Sequence, residues 1–177
     1  NAILNVQGEN GGGIVSQVDG QATLEECWYD GTIVQTGRYQ GGLIGNITNG
    51  RATIKHSLFT GTLINEHDNA NRDGNMVGGL VGSNSKTATL MISDSLANGK
   101  IETVYNTYVS TMVGVNYSGG TVSMEYVFDS MIAPTQTIMG GSLTAQSMKI
   151  NDELLIGEKA YQWTTLDFDN YWSAVSE

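Results

Sequence analysis

Cysteine and proline are almost missing from this chain of 177 residues, which contains one of each. Because Cys27 has no second cysteine to pair with, an internal disulfide is excluded, although this does not fix the redox compartment. The scarcity of proline contrasts with 23 glycines, and the chain is also rich in Thr, Ser, Asn and β-branched residues. This composition favours many short strands joined by turns at positive φ, and long helices are not expected.

Basic residues are also scarce, with 8 Lys and Arg against 18 Asp and Glu and a net charge of −10. Nucleic acid and anionic membranes would be repelled, so neither is an expected partner. The chain has no run of 18 apolar residues, which argues against membrane insertion in this segment. It also has no signal peptide and opens in a strand-like sequence, so we expect a piece excised from a longer protein.

A Gly-Gly pair followed by two aliphatic residues and a small residue recurs along the chain, each time before a polar turn and an aliphatic stretch. The four copies begin at Gly12–Ser16, Gly41–Gly45, Gly78–Gly82 and, in worn form, Met112–Gly114. Aligned positions downstream are spaced by 30, 38 and 32 residues, as seen for Cys27, Ser57, Ser95 and Val127. The differences fall before each Gly-Gly pair, so loop insertions are expected at one corner.

Aligning the copies produces three columns that are each expected to be buried. They are Leu24, Ile54, Ile92 and Met124; Trp28, Leu58, Leu96 and Phe128; and Cys27, Ser57, Ser95 and Val127. Strict alternation cannot bury both 57 and 58, so each copy must turn a corner near residues 55–56. The sequence therefore predicts an all-β fold, a right-handed parallel β-helix of about four coils stacked at roughly 4.8 Å.

Four glycines of the repeat are assigned a structural role, at corners that need positive φ or a close backbone approach. They are Gly42, Gly45, Gly79 and Gly82. Residues 1–10 are interpreted as the end of a preceding coil and 11–141 as the repeats. Residues 142–177 are predicted to cap the solenoid, with Ser142 starting a short helix and Trp163, Phe168 and Trp172 supplying apolar bulk.

Two segments, Gly41–Gly45 and Gly78–Gly82, begin with a Gly-Gly pair. Each is followed by a pattern of aliphatic, polar, Ser, aromatic-or-Leu and Gly residues. Both segments resemble the GLUG repeat. The resemblance covers roughly residues 11–133. It departs from the pattern at Ser16 and at Thr111-Met112 and Ser130-Met131, which puts the register of the fourth coil in question. The resemblance implies a β-helix within a large secreted or wall-anchored bacterial protein, such as an adhesin or the non-catalytic part of an IgA1-protease-like metallopeptidase.

No catalytic or metal constellation is expected. His56 and His67 are 11 residues apart, whereas a zinc peptidase motif needs two histidines four residues apart on a helix. Cys27 shares a column with serines, so it is interpreted as an inert core residue. The carboxylates that recur at related positions are assigned to a solvated outer face, and they are Glu25, Glu26, Asp94 and Glu125. The segment is therefore predicted to be non-enzymatic and to need no cofactor.

The sequence contains two candidate binding sites. The loop 69–75 has alternating oxygen ligands, as a calcium loop does, but Asn69 replaces the first Asp and Leu80 stands where a bidentate Glu belongs, so a polar turn is preferred. Tyr29 and Phe59 occupy one column beside a predicted buried one. If they point outwards, they are candidate ligand-binding residues that could stack on a sugar, and the alternative is that loops cover them.

These observations favour a structural or adhesion module of a bacterial cell-surface or cell-wall protein, monomeric as a fragment, whose partner is a host glycan or a host protein. Two alternatives stay open. One is an accessory region of an IgA1-protease-like surface metallopeptidase, and the other is a fragment of a carbohydrate-active β-helix enzyme.

Overall fold

A computed structural model describes residues 2–67, 75–103, 108–129, 142–143 and 148–149. Its first strands are β1 (Ala2–Val6), β2 (Asn10–Gly12), β3 (Val15–Glu25), β4 (Trp28–Tyr29), β5 (Gly31–Gln35), β6 (Tyr39–Gly41), β7 (Ile44–Lys55), β8 (Leu58–Phe59) and β9 (Thr62–Asn65). The next are β10 (Met76–Gly78), β11 (Val81–Asn84), β12 (Ala88–Ala97), β13 (Lys100–Thr103), β14 (Tyr108–Ser110), β15 (Val113–Asn116), β16 (Thr121–Asp129), β17 (Ser142–Leu143) and β18 (Met148–Lys149). No helix occurs in these ranges.

The strands form three sheets in which neighbouring strands are parallel and come from successive repeats. One sheet has the order β1-β5-β9-β13, and a second has the order β14-β10-β6-β2. The third contains the longer strands, in the order β15-β11-β7-β12-β16-β17, with β3, β4, β8 and β18 joined to it. The fold is therefore all-β, and a chain that visits three parallel sheets once per repeat is consistent with the predicted β-helix.

The predicted stacking of equivalent residues is confirmed. Ile92 is the register partner of Ile54, and Leu96 is the partner of Leu58. The first column is buried throughout, since Leu24, Ile54, Ile92 and Met124 are 4%, 0%, 2% and 6% exposed. Each of these residues thus packs against its counterpart in the next repeat. Apolar side chains are buried against apolar side chains while the backbones of the two strands form hydrogen bonds.

The worn fourth copy continues the same register despite its missing glycines. Val113 pairs with Val81, and Ser110 stands in register with Gly78. Met112 and Val113 are fully buried. Buried aliphatic side chains therefore keep the fourth repeat in register with the third, although the fourth repeat lacks the Gly-Gly pair.

Three repeats turn a corner two residues after the buried column, near residues 55–56 as predicted. Glu26, His56 and Asp94 have φ values of 55°, 49° and 45°. L-residues rarely adopt this left-handed conformation, although Asp and His tolerate it better than most. Three residues in equivalent positions share the conformation, so the corner is a property of the fold.

The side-chain pattern after the corner differs from the prediction. Position 57 faces inwards, but position 58 does not, because alternation resumes at the residue after the left-handed one. Trp28 is 64% exposed, Leu58 is half-buried, and Leu96 is 5% exposed. The predicted burial of this column is confirmed at Leu96 and wrong at Trp28, and the position that packs into the core is 59, where Phe59 is 0% exposed.

The predicted structural role of the repeat glycines is confirmed at Gly42, Gly45 and Gly82 as close backbone approach, whereas positive φ is found at other glycines. Positive φ occurs at Gly20, Gly50 and Gly119, which lie in the turns inside or beside the long strands. Gly45 and Gly82 serve close approach instead: a Cβ on Gly82 would lie 2.4 Å from the carbonyl oxygen of Gly45. Real Cβ atoms do not tolerate such contacts, so these positions require glycine for space between repeats.

The start of the predicted cap is a pair of strands. Strand β17 pairs with the beginning of β16, and β18 pairs with its end, both in parallel. The prediction that Ser142 starts a helix is therefore wrong, because these residues satisfy the free backbone groups along the edge of β16. Trp163, Phe168 and Trp172 lie outside the described residues, so their capping role stays a prediction.

Candidate binding surface

Tyr29 and Phe59, the candidate stacking residues if they pointed outwards, pack against the interior of the fold. Tyr29 and Phe59 are stacked, with ring centroids 6.4 Å apart and planes at 11°. Phe59 is 0% exposed and Tyr29 is half-buried. The outward orientation on which the sugar-stacking hypothesis depended is not found, because the corner at residues 26 and 56 reverses the side to which the next side chains point. A sugar has no access to the ring of Phe59.

The second glycine of the Gly-Gly pair makes room for these rings. A Cβ on Gly13 would lie 2.6 Å from Cγ of Tyr29, and a Cβ on Gly42 would lie 2.4 Å from Cγ of Phe59. Gly99 borders Phe59 from another side, where a Cβ would lie 2.5 Å from Cε1. The repeat therefore couples its glycines to its interior aromatics, and the glycines have no ligand-binding role there.

Trp28 is exposed, whereas Tyr29 beside it is half-buried. Its indole Nε1 donates a hydrogen bond to Oγ1 of Thr60 at 2.9 Å, and its register partner in the next repeat is Leu58. The alignment did not indicate its exposure, because it shares a column with apolar residues. The neighbouring column of residues 29, 59 and 97 could have indicated the exposure of Trp28. In that column the small Ala97 lies in register with Phe59, and a small residue opposite an aromatic one is typical of a packed interior.

Cys27 stands in a ladder of small residues that bind backbone groups. The amide of Cys27 donates to Oγ of Ser57, and the amide of Ser57 donates to Oγ of Ser95, at 3.2 and 3.1 Å. Each hydroxyl in turn donates to a carbonyl two residues earlier, from Ser57 to Lys55 and from Ser95 to Ser93. Cys27 is half-buried and replaces a serine in this ladder, in line with its interpretation as a structural residue.

The recurring carboxylates lie on the outer side of the third sheet, as expected. Glu25, Glu26 and Glu125 are exposed, and Glu25 forms an ion pair with Lys55 of the next repeat. Asp94 is half-buried, and its Oδ2 lies 3.7 Å from Nε2 of His56. Such pairs at partly exposed sites contribute little to stability.

The two histidines lie far apart in the fold. His56 occupies a corner of the third sheet, whereas Nδ1 of His67 lies 2.8 Å from the carbonyl oxygen of Thr36. Within the described residues, no group of three or more His, Cys, Asp and Glu side chains is placed to hold a metal ion. Most of the loop 69–75 lies outside the described residues, so the preference for a polar turn there stays a prediction.

Buried amides form a second polar ladder that sequence reasoning missed. Asn84 and Asn116 are register partners, and Nδ2 of Asn84 donates to Oδ1 of Asn116 at 2.8 Å. The same amide group lies 3.4 Å from the carbonyl oxygen of Ala88 and 3.2 Å from that of Thr121. These side chains bind the backbone where the third sheet turns, so their role is structural.

The chain is 38% identical over 105 residues to the immunoglobulin A1 protease of Streptococcus pneumoniae. The matched part is 55% of this chain and 5% of that protease, so the chain spans about a twentieth of the length of this relative. No protein-family model and no solved structure matches the chain. The resemblance to the GLUG repeat therefore rests on Gly41–Gly45, Gly78–Gly82 and the pattern that follows each of them. None of the described residues forms a helix able to span a membrane.

Proposed function

We propose that this chain is a non-enzymatic structural module of a large bacterial surface or secreted protein, located outside the cell at the surface or in the wall. The observation that carries the proposal is the in-register column Leu24, Ile54, Ile92 and Met124, buried across all four repeats. Side chains fill the interior of such a solenoid, and its outer faces are left to vary. We propose a right-handed β-helix, in keeping with the GLUG-like repeat.

A rigid stack of this kind spans distance and presents surface. Each coil adds about 4.8 Å along the axis through its backbone hydrogen bonds. Apolar residues on the inner side hold successive coils in place, so loops and outer side chains can change without loss of the core. The proposed partner of those outer faces is a host glycan or a host protein.

A second candidate is an accessory region of an IgA1-protease-like protein, in which the chain would hold or dock immunoglobulin A1 for a catalytic domain located elsewhere. The similarity to part of the immunoglobulin A1 protease favours this candidate. The two candidates differ in one observable, which is direct affinity of the isolated chain for immunoglobulin A1.

Three measurements on the purified chain test these proposals. Small-angle scattering should give an elongated monomer. Incubation with immunoglobulin A1 and with neutral and acidic polysaccharides should give no cleavage product by mass spectrometry. Turnover that disappears in the variants Glu25→Gln, Glu26→Gln or Asp94→Asn would overturn the non-enzymatic assignment. Binding to immobilised immunoglobulin A1 but not to immunoglobulin G would favour the accessory role.

A further inference from the structure

The chain contains three Asn-Gly steps, at Asn10-Gly11, Asn49-Gly50 and Asn98-Gly99. In such a step the backbone nitrogen of the glycine can attack the side-chain carbonyl carbon of the asparagine, because glycine has no Cβ to obstruct the approach. Ring closure requires rotation of the backbone between the two residues, and hydrogen-bonded strands oppose that rotation. The local structure therefore decides which of the three steps reacts.

The step Asn49-Gly50 is held on both sides. It lies in β7, where Gly50 is the register partner of Gly20 in β3 and of Ala88 in β12. Oδ1 of Asn49 accepts a hydrogen bond from Oγ1 of Thr87 at 3.3 Å. Because rotation at this step has to open a strand that is paired with two neighbours, we expect its ring closure to be slow.

The step Asn10-Gly11 is held by its strand and by its own side chain. Both residues lie in β2, where Gly11 is buried and is the register partner of Gln40 in β6. Nδ2 of Asn10 donates to Oε1 of Gln17 at 2.8 Å. The side chain has to give up this hydrogen bond before its carbonyl carbon can meet the glycine nitrogen.

The step Asn98-Gly99 lies between strands, in the corner that joins β12 to β13, and both residues are half-buried. The amide of Asn98 donates to the carbonyl oxygen of Phe59 at 2.8 Å, and the amide of Lys100 donates to that of Gly61 at 2.9 Å. Among the described residues, neither the amide of Gly99 nor the side chain of Asn98 has a hydrogen-bond partner. Of the three steps, this one therefore offers the least resistance to ring closure.

The packing of the repeat requires glycine at position 99 but leaves position 98 variable. A Cβ on Gly99 would lie 2.5 Å from the carbonyl oxygen of Gly61. The counterparts of Asn98 in the two preceding repeats are Thr60 and Asp30, as the paired residues on both sides show. Aspartate thus already occupies this corner in the first repeat, where it is exposed, so an aspartate at position 98 is compatible with the fold.

We propose that Asn98 is a site of spontaneous deamidation. The nitrogen of Gly99 forms a bond to Cγ of Asn98, the bond from Cγ to Nδ2 breaks, and ammonia leaves with the proton of the attacking nitrogen. Water then opens the cyclic imide, adding its hydroxyl group to a carbonyl carbon and its proton to the nitrogen. Opening at Cγ produces aspartate, whereas opening at the backbone carbonyl carbon produces isoaspartate. The reaction needs no partner, so it does not depend on the proposed surface role.

The two products differ in their effect on the corner. Aspartate leaves the backbone unchanged and adds one negative charge. Isoaspartate adds a methylene group to the main chain between the amides of Asn98 and Lys100, which both donate to the preceding repeat. At least one of these hydrogen bonds has to lengthen, so the isoaspartyl form should melt at a lower temperature than the aspartyl form.

The test incubates the purified full chain at mildly alkaline pH, where hydroxide removes the proton of the attacking nitrogen, and follows each step by peptide mass spectrometry. We expect Asn98 to be converted at least about tenfold faster than Asn49 and Asn10, because a paired strand must open locally before either of these can react. The same chain unfolded in urea is the control. There the three steps should react at similar rates, since the strands that distinguish them are lost.

A matched pair of variants identifies the reacting residue. Asn98→Thr introduces the residue that the second repeat has at this place, and it should abolish most of the acidic species that anion-exchange chromatography separates. Asn49→Thr removes another Asn-Gly step and should leave that species in place. Asn98→Asp supplies the aspartyl product directly, as the chromatographic standard.

The proposal is overturned if Asn49 or Asn10 reacts as fast as Asn98 in the folded chain. It is also overturned if folding slows the reaction of Asn98 as much as that of Asn49, or if Asn98→Thr forms the acidic species in full yield. Faster conversion at Asn98 in the folded chain, together with equal rates in urea, supports it. None of these outcomes affects the proposed structural role of the chain.

Discussion

Gly42 lies directly against the ring of Phe59, so that a Cβ atom on Gly42 would stand 2.4 Å from Cγ of the ring. The same Cβ would lie 2.1 Å from the carbonyl oxygen of Gly79, which belongs to the next repeat. Because the second neighbour is backbone, the crowding cannot be relieved by a side-chain rotation. The Gly-Gly pair of the repeat is therefore a packing feature that joins one repeat to the next.

Gly42→Ala should destabilise the fold by about 1–3 kcal/mol, the usual range for overpacking in a tight interior. The free energy of unfolding from urea denaturation followed by circular dichroism measures the effect. Gly8→Ala is the matched control, because apart from its chain neighbours no heavy atom of the described residues lies within 4 Å of its Cβ position, and it should change stability by less than about 0.5 kcal/mol. Equal effects of the two substitutions would contradict the packing role of Gly42.

The serine ladder gives a second prediction. Ser57→Ala removes the acceptor of the Cys27 amide and the donor to the carbonyl of Lys55. Loss of the acceptor for the partly buried Cys27 amide should cost about 1–3 kcal/mol, whereas the carbonyl of Lys55 still accepts from the amide of Glu26. Ser57→Cys should cost less, because Cys27 occupies the equivalent place in the first repeat with its Sγ 3.4 Å from the carbonyl oxygen of Glu25.

Hydrogen exchange separates the ladder from general packing effects. In Ser57→Ala, the amide of Cys27 should exchange faster than in the unchanged chain. The amide of Ser57, which donates to Ser95, should stay protected. Uniform acceleration of both amides would indicate global destabilisation and would remove the specific role of the hydroxyl.

Much of this architecture could be predicted from the sequence, because repeats at related spacing leave a column of aliphatic residues that identifies the interior. The columns of Ile54 and Ser57 and the corner at His56 follow from that pattern. The side to which Trp28 and Tyr29 point could not be predicted, because it depends on a single left-handed residue that alternation does not reveal. The left-handed backbone of Glu26 sets the side to which Trp28 and Tyr29 point.

The burial of Asn84 and Asn116 could also not be predicted from the sequence, since asparagine near a turn normally indicates solvent exposure. Asn84 is 0% exposed and Asn116 is 1% exposed. Among the described residues, Nδ2 of Asn84 faces acceptor oxygens of Asn116, Ala88 and Thr121. An amide nitrogen fits this environment because it donates two hydrogens, whereas a carboxylate oxygen would be repelled.

Asn84→Asp should therefore destabilise the protein by more than about 3 kcal/mol at pH 7, where the new carboxylate is charged and faces oxygen atoms. The native environment disfavours the charged form, so the pKa of this carboxyl should be raised above its unfolded value of about 3.9. The penalty should then grow as the pH rises above that value and shrink at lower pH. A penalty independent of pH would contradict the assigned environment.

The hydroxyl of Tyr29 is buried, and it has no hydrogen-bond partner among the described residues. Phe59 fills the equivalent position in the next repeat and has no hydroxyl. Tyr29→Phe should therefore keep the stacked pair and leave stability unchanged or raise it by up to about 1 kcal/mol. Thermal melting at pH 7 measures this difference.

The same hydroxyl gives the prediction a pH dependence. Burial raises the pKa of Tyr29 above its ordinary value of 10.0. The folded state therefore holds this proton more tightly than the unfolded state, so the contribution to stability is fully present below pH 10 and is lost as the pH rises through the folded pKa. Unfolding midpoints measured between pH 8 and about 11 should fall less steeply in Tyr29→Phe than in the unchanged chain.

Tyr39→Phe is the control. Tyr39 lies on the second sheet, where Cζ of Arg38 is 5.3 Å from the centre of its ring. If both variants changed the slope equally, the effect would belong to general ionisation of tyrosines, and the special position of Tyr29 would have to be abandoned.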